Sequence, residues 1–149
     1  LKSNIIPSVK LNYAKTLEAA LEEQFIAQNA VWKPIFFNKV TESNRYLELI
    51  DLYNEIGSIF PPSESAIEAK LRIGFIYLYR LNNLETAQLC FEEIRKNYIM
   101  SRFTADAIIA LGKISLLNNN LDKAEHFFSE LNNSSNNSLA EKNSAKFTA

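Results

Sequence analysis

Glycine and proline are scarce in this chain: three and four among 149 residues. Sheet proteins rich in tight turns use more of both, because Gly supplies positive φ and Pro presets φ at turn positions. Their scarcity points to long helices and short connections. A single cysteine, Cys90, excludes an internal disulfide framework. No run of roughly 18 apolar residues occurs, so no segment reads as a membrane-spanning helix. Charge of one sign is lacking too. Sixteen basic residues against 17 acidic ones leave a net −1, without the basic surplus a general nucleic-acid binder needs to pair with phosphates.

Residues that carry chemistry are equally sparse. His126, the one histidine, sits beside Phe127, and no second His or Cys stands near it to complete a zinc ligand set. Cys90, between Leu89 and Phe91, reads as a small core residue. Glu22-Glu23 and Glu92-Glu93 are adjacent carboxylates, which a helix points in different directions. Gly57, Gly74 and Gly112 are too far apart to form a phosphate-cradling loop. The sequence therefore assigns no catalytic residue, no metal ligand and no cofactor.

What is present is helical periodicity in a chain that is 47% hydrophobic. Tyr13, Leu17, Ala20, Leu21 and Phe25 recur at three- and four-residue intervals, with Glu18, Glu22 and Glu23 off the stripe. This spacing predicts a helix over about 8–29 with that apolar stripe inward. Pro34 suits the first turn of a short helix ending near Val40. A polar break follows at Thr41 to Asn44. Tyr46, Leu49, Ile50, Tyr53 and Ile56 predict the next helix, with Gly57 as a left-handed cap and Pro61-Pro62 as a stop. Ser63 or Ser65 can cap a helix over about 66–80, apolar around much of its circumference, which suits burial between neighbours. Helices over 84–97, 101–117 and 121–131 complete the regular part. The polar run 132–138 reads as a loop, with a last helix capped by Ser138.

Internal repetition is the strongest signal. Ile73-Gly74-x2-Tyr77 followed by Ala87-x3-Phe91 returns as Leu111-Gly112-x2-Ser115 followed by Ala124-x3-Phe128, at offsets of 37 and 38 residues. A mid-helix Gly costs about 1 kcal/mol against Ala, so two at matching places suggest an approach that a Cβ would block. An earlier unit keeps Leu49-x3-Tyr53, Ile56 and Pro61.

These residues resemble the tetratricopeptide repeat family, whose pattern is Trp-x2-Leu-Gly-x2-Tyr, then Ala-x3-Phe, then Pro. The match covers roughly residues 30 to 133. Lys70 and Ile108 stand in the tryptophan slot, Ser115 in the last tyrosine slot, and the period exceeds the family's usual ~34 residues. The resemblance implies an all-α fold: helix pairs stacked into a short right-handed superhelix within one domain. Its parts would be an N-terminal helix (1–29), a weak repeat (30–63), two repeats (64–100 and 101–133) and a terminal or partial-repeat helix (134–149). One more period from Gly112 reaches Ala149, which predicts either the start of a further repeat or a terminal cap. The wording of residues 63–114 is also similar to repeats of bacterial outer-membrane assembly lipoproteins and Tol–Pal-associated periplasmic proteins. That tilts the expected compartment toward the periplasm and bacterial envelope, with the cytoplasm as the alternative.

By the same resemblance the leading helices line a concave surface that binds a protein or peptide segment. Leu71, Phe75, Leu78 and Tyr79 of the middle unit would point inward, with Ile109, Lys113, Leu116 and Leu117 of the last. Glu68 and Asp106 would stand at the edge. The first unit would offer Asn38, Thr41 and Glu42. The carboxylate-clamp mode of some family members is not expected, since only Asn38 fits its slots and Pro34, Arg72, Asp106 and Ala110 fill the rest. The alternative expectation is a structural segment of a larger solenoid or envelope assembly, with no private ligand and a tendency to self-associate.

Overall fold

The computed structural model describes the backbone of residues 2–30, 39–59 and 63–147 and the side chains of residues 6–27, 44–59 and 63–134. Among the described residues there are six α-helices and no strand: α1 (Lys2–Ala30), α2 (Lys39–Ile59), α3 (Glu64–Tyr79), α4 (Leu84–Asn97), α5 (Thr104–Leu117) and α6 (Leu121–Phe147). The chain divides into two compact units, Leu1–Cys90 and Phe91–Ala149.

In the first unit α1 and α3 both pack on α2 and touch one another. The shared core is Leu11 and Ala14 of α1, Tyr46, Leu49, Ile50, Tyr53 and Ile56 of α2, and Ala69, Ile73 and Ile76 of α3. The apolar stripe expected on α2 is thus the one it buries, and α3 lies among neighbours as its composition requires. Ser63 caps α3 by accepting a hydrogen bond from the Ala66 amide at 3.2 Å.

The face that α1 buries is not the one its apolar spacing suggests. Pro7, Leu11 and Ala14 are buried, with Leu21 packed against the core, while Tyr13, Leu17 and Ala20 face solvent. Glu18 and Glu22, expected outside, lie on the packed side because α2 and α3 bring them partners. Tyr53 Oη donates to Glu18, whose Oε2 also accepts from Arg72 Nη1 at 3.1 Å. Tyr46 Oη donates to Glu22 at 2.8 Å, and Arg80 clasps Glu22 through Nε at 2.8 Å and through Nη2. Lys15 pairs with Glu68 at 2.9 Å, and Arg80 covers the Phe25 ring at 4.2 Å. Two carboxylates at a one-turn spacing, each given a phenol and a guanidinium, can replace an apolar seam because every charge is paired.

Three helix ends also depart from expectation. Helix α1 begins at Lys2, not near Ser8, and takes Pro7 inside. The proline removes one backbone hydrogen bond close to the N-terminus, and its fixed φ is helical. Thr41 to Asn44 are no break, since α2 runs from Lys39. Weak helix formers are carried along when the segment they belong to has a strong apolar stripe. Gly57 is no cap either: α2 continues to Ile59, and no described glycine has a positive φ. Pro34, Asn38, Pro61 and Pro62 lie outside the described residues.

In the second unit α5 packs along α6. Helix α5 buries Ala107, Ile108, Ala110, Leu111, Gly112 and Ile114. Ser115, in the tyrosine slot, is buried with its hydroxyl donating to the Leu111 carbonyl at 2.9 Å, so its polar atom is satisfied. Helix α5 begins at Thr104, later than Ser101, because Ser101 to Phe103 form a turn in which the Thr104 amide bonds the Ser101 carbonyl. Residues 132–138 are helical, not a loop, and α6 runs unbroken to Phe147. Asn and Ser are poor helix formers, at a few tenths of a kcal/mol each, but no Gly or Pro interrupts them.

The repeat is real in local geometry. Asn82 and Asn119, 37 residues apart, are the two non-glycine residues with positive φ (51° and 56°) among those described. Asn83 and Asn120 follow as side-chain caps, each Oδ1 accepting from the amide three residues on, Thr86 at 3.0 Å and Lys123 at 3.1 Å. After α5 the turn is a Schellman closure: Asn120 N–H bonds the Ser115 carbonyl at 2.8 Å and Asn119 N–H bonds that of Leu116 at 3.0 Å. After α3 the loop is one residue wider. Asn83 N–H bonds the Tyr77 carbonyl at 2.8 Å, which explains why the glycines stand 38 apart and the Asn pairs 37.

Candidate functional site

The residues singled out from the sequence fall into two groups, one in each unit. On α3, Leu71 and Leu78 are both only 5% exposed and belong to the interior. Phe75 is half-buried and stacks on Tyr79, ring centroids 6.0 Å apart and planes 12° from parallel. Tyr79 remains 52% exposed. The expected inward stripe of α3 therefore separates into a buried pair and a solvent-facing aromatic ridge. Three and four residues of spacing place Phe75 and Tyr79 one turn apart on the same face. The stack holds the tyrosine and leaves it half open to solvent.

On α5, Ile109 is half-buried, Lys113 is exposed, and Leu117 is 62% exposed with Leu116 open beside it. Leu117 stands 38 residues after Tyr79, and Lys113 stands 38 after Phe75, the offset that relates the two glycines. The same repeat position thus carries an exposed large apolar side chain in both units. Thr41 and Glu42 of the first unit lie outside the residues whose side chains are described, as Asn38 does.

Helix α5 owes its position to the glycine. A Cβ on Gly112 would lie 2.5 Å from Phe128 Cζ, so the α6 ring rests directly on the α5 backbone. That is the close approach expected at this glycine of the repeated pair.

The electrostatics around the α3 ridge are those of paired charges. Arg80 holds the Glu22 carboxyl below its ordinary value by hydrogen bonding, against the opposing effect of burial. Burial raises Glu68, but Lys15 and Arg72 together outweigh it and leave that carboxyl lowered. Burial, reinforced by Glu22, pushes Tyr46 up to about 12, and Tyr53 is raised by the same two causes with Glu18 in place of Glu22. Glu68 is therefore no bare acidic edge, and Arg72 is engaged by Glu18 and Glu68. These groups are set for holding α1, with each charge matched.

A shallow cavity of about 340 Å³ lies between α4 and α6, lined by Arg95, His126, Ser129, Glu130, Asn133 and Ser134. Its cation is spoken for: Arg95 makes a forked pair with Glu130 at 2.9–3.1 Å and a further bond to Glu92 at 3.2 Å. His126 meets Phe127 edge-on at 5.9 Å. Among the described residues no group of three or more His, Cys, Asp or Glu is placed to hold a metal ion. No described helix is long and apolar enough to cross a membrane.

One feature escaped the sequence pattern. The outward face of α1, from Ile6 to Ala20, carries no charge at any exposed position. Its signal was the absence of Lys, Glu, Asp and Arg at positions 6, 9, 13, 16, 17 and 20, which reads equally well as a core stripe. No family model, curated protein or solved structure matches this chain.

Proposed function

We propose that this chain is a non-catalytic protein-interaction module of tetratricopeptide type, which offers partner segments the face that α3 turns to solvent and, at the same repeat position, the face that α5 turns to solvent. The observation that carries the reading is the coincidence of exposure with register. Tyr79 and Leu117 occupy the same repeat position and both stay open, while the neighbouring leucines of α3 are buried. A large apolar side chain left open at the same place in successive repeats is available to a partner. An aromatic ridge formed by Phe75 and Tyr79 suits an apolar anchor of an extended or helical peptide. Phe75, Tyr79, Lys113 and Leu117 are the contact residues of this reading. Leu71, Leu78 and Ile109 support them from within.

Selection of a displayed random-peptide library on the wild-type chain tests it. Enriched peptides that share an apolar or aromatic anchor, and that bind Tyr79→Glu at least ~10-fold more weakly, support the reading. Enriched sequences with no common anchor, or equal binding to both proteins, count against it.

A further inference from the structure

Helix α1 joins the first unit with little apolar burial and many charges. Leu11 and Ala14 are the buried residues it adds to the shared core, with Leu21 partly buried, against five buried residues from α2 and three from α3. Its outward Ile6, Val9, Tyr13 and Leu17 are already exposed, so undocking the helix uncovers little more of them. Four ion pairs run along the other side. Lys10 meets Glu55 of α2 at 2.8 Å. Lys15 meets Glu68 of α3 at 2.9 Å, Glu18 meets Arg72 at 3.1 Å, and Glu22 meets Arg80. None of these side chains is sealed from water: exposure runs from 13% at Glu68 to 48% at Glu55. Pairs of this kind weaken in salt, because counter-ions screen each partner and water solvates both when they part. Apolar packing is not weakened in this way.

The charges are also ordered. Lys15, Glu18 and Glu22 ascend α1 as Glu68, Arg72 and Arg80 ascend α3. Sliding α1 by one turn would set Glu18 against Glu68 in one direction and Lys15 against Arg72 in the other. Like charge would then meet like. A helix that leaves is thus steered back to the same register.

We propose that α1 is a salt-sensitive latch, released as one unit from an α2–α3 pair that stays folded. Release uncovers the apolar side of α2 and α3 that Leu11 and Ala14 close. Helices α2 and α3 keep their packing on one another, and α3 also buries Ala66, Ile67, Leu71 and Leu78 outside the core it shares with α1. The element with the least apolar burial is the one that opens first, and ionic strength sets how often it does.

Amide hydrogen exchange of the full chain tests the proposal, from about 0.1 to about 1 M NaCl, over which the screening length falls from about 10 to about 3 Å. The amides of residues 11–22 should speed up together, by ~10-fold or more, while those of residues 49–56 and 69–76 keep their rates. Lys10→Glu sets two carboxylates together at Glu55 and should speed the same α1 amides ~3-fold at low salt. Adding Glu55→Lys should restore the wild-type rate, which a mere loss of packing would not allow. One common exchange rate for all three helices at both salt concentrations overturns the proposal. So do α1 amides indifferent to salt, or a double variant that exchanges as fast as Lys10→Glu.

Discussion

Helices α3 and α5 hold the same place in the repeat and are secured by different means. Helix α3 is bound to α1 through guanidinium, ammonium and carboxylate groups, with Arg72 and Glu68 on one turn and Arg80 at its end. Helix α5 is bound to α6 by contact without charge, the Phe128 ring lying on Gly112 and the small Ala107, Ala110 and Ala124 buried around it. Helix α3 therefore adds a satisfied polar seam with α1 to its apolar packing on α2, where α5 has a close apolar contact with α6. The difference teaches where the constraint sits: in the turn geometry and the spacing, which the two share, and not in the chemistry of the seam.

The comparison breaks most visibly at the hub of the first unit. Tyr53 is fully buried, so Tyr53→Ala should lower the unfolding free energy by about 3–5 kcal/mol in chemical denaturation. Tyr53→Phe keeps the ring and loses only the bond to Glu18, for about 1–2 kcal/mol. If the two variants cost the same, packing contributes nothing and the seam is all hydrogen bond.

The second unit gives the sharper test. Gly112→Ala gains up to about 1 kcal/mol of helix propensity but drives a methyl into the Phe128 ring. A net loss of about 1–2 kcal/mol is expected from the overpacking. In a Phe128→Ala background the same change should become stabilising by roughly 1 kcal/mol. A Gly112→Ala effect of the same sign in both backgrounds would show that the ring does not rest on the glycine.

The shared turns should respond alike. Asn82→Ala and Asn119→Ala each force a Cβ residue without a local polar side chain into the left-handed region, at about 1 kcal/mol apiece. Gly at either place should be nearly neutral. Unequal costs would mean that the wider loop after α3 relaxes where the Schellman closure does not.

The polar seam also sets a pH window. Glu22 and Glu68 are lowered from an ordinary 4.5, so below that value the unfolded chain binds protons first. Their contribution is complete above about 4.5 and is lost as pH falls through the folded values. Tyr46 is raised from 10 to about 12, so its contribution is complete below 10 and is lost as pH climbs toward 12. Melting curves across pH should show both flanks, and Arg80→Gln should shrink the acid one. An unchanged acid flank in that variant would remove Glu22 from the account.

How much of this was legible beforehand follows from what periodicity can register. The helices around residues 46–56, 66–79, 84–97, 104–117 and 121–131, the Asn turns, a serine cap before α3 and the close approach at Gly112 were written in spacing and composition, because caps and close approaches demand particular residues. The buried face of α1 was not, since Glu18 and Glu22 look like surface until the phenols and guanidiniums of distant helices are brought to them. Residues 41–44 and 132–138 were misread for a related reason: local propensity is a weak prior that a packed or unbroken helix overrides. At the candidate site the spacing put Leu78 and Tyr79 on one inward stripe, and the structure buries the first and leaves the second open. Adjacent residues on one helix differ by 100° in direction, and which one is covered depends on neighbours.

The most direct test of the central claim, that the repeated open position binds a partner, is the affinity of one selected peptide for four proteins. These are the wild type, Tyr79→Glu, Leu117→Glu and Leu89→Glu, the last altering a residue of α4 that is 67% exposed but lies outside the register. The account predicts a loss of ~10-fold or more in Tyr79→Glu for a peptide held by α3, or in Leu117→Glu for one held by α5, and no change in Leu89→Glu. Equal affinities for all four, or an equal loss in Leu89→Glu, would contradict it.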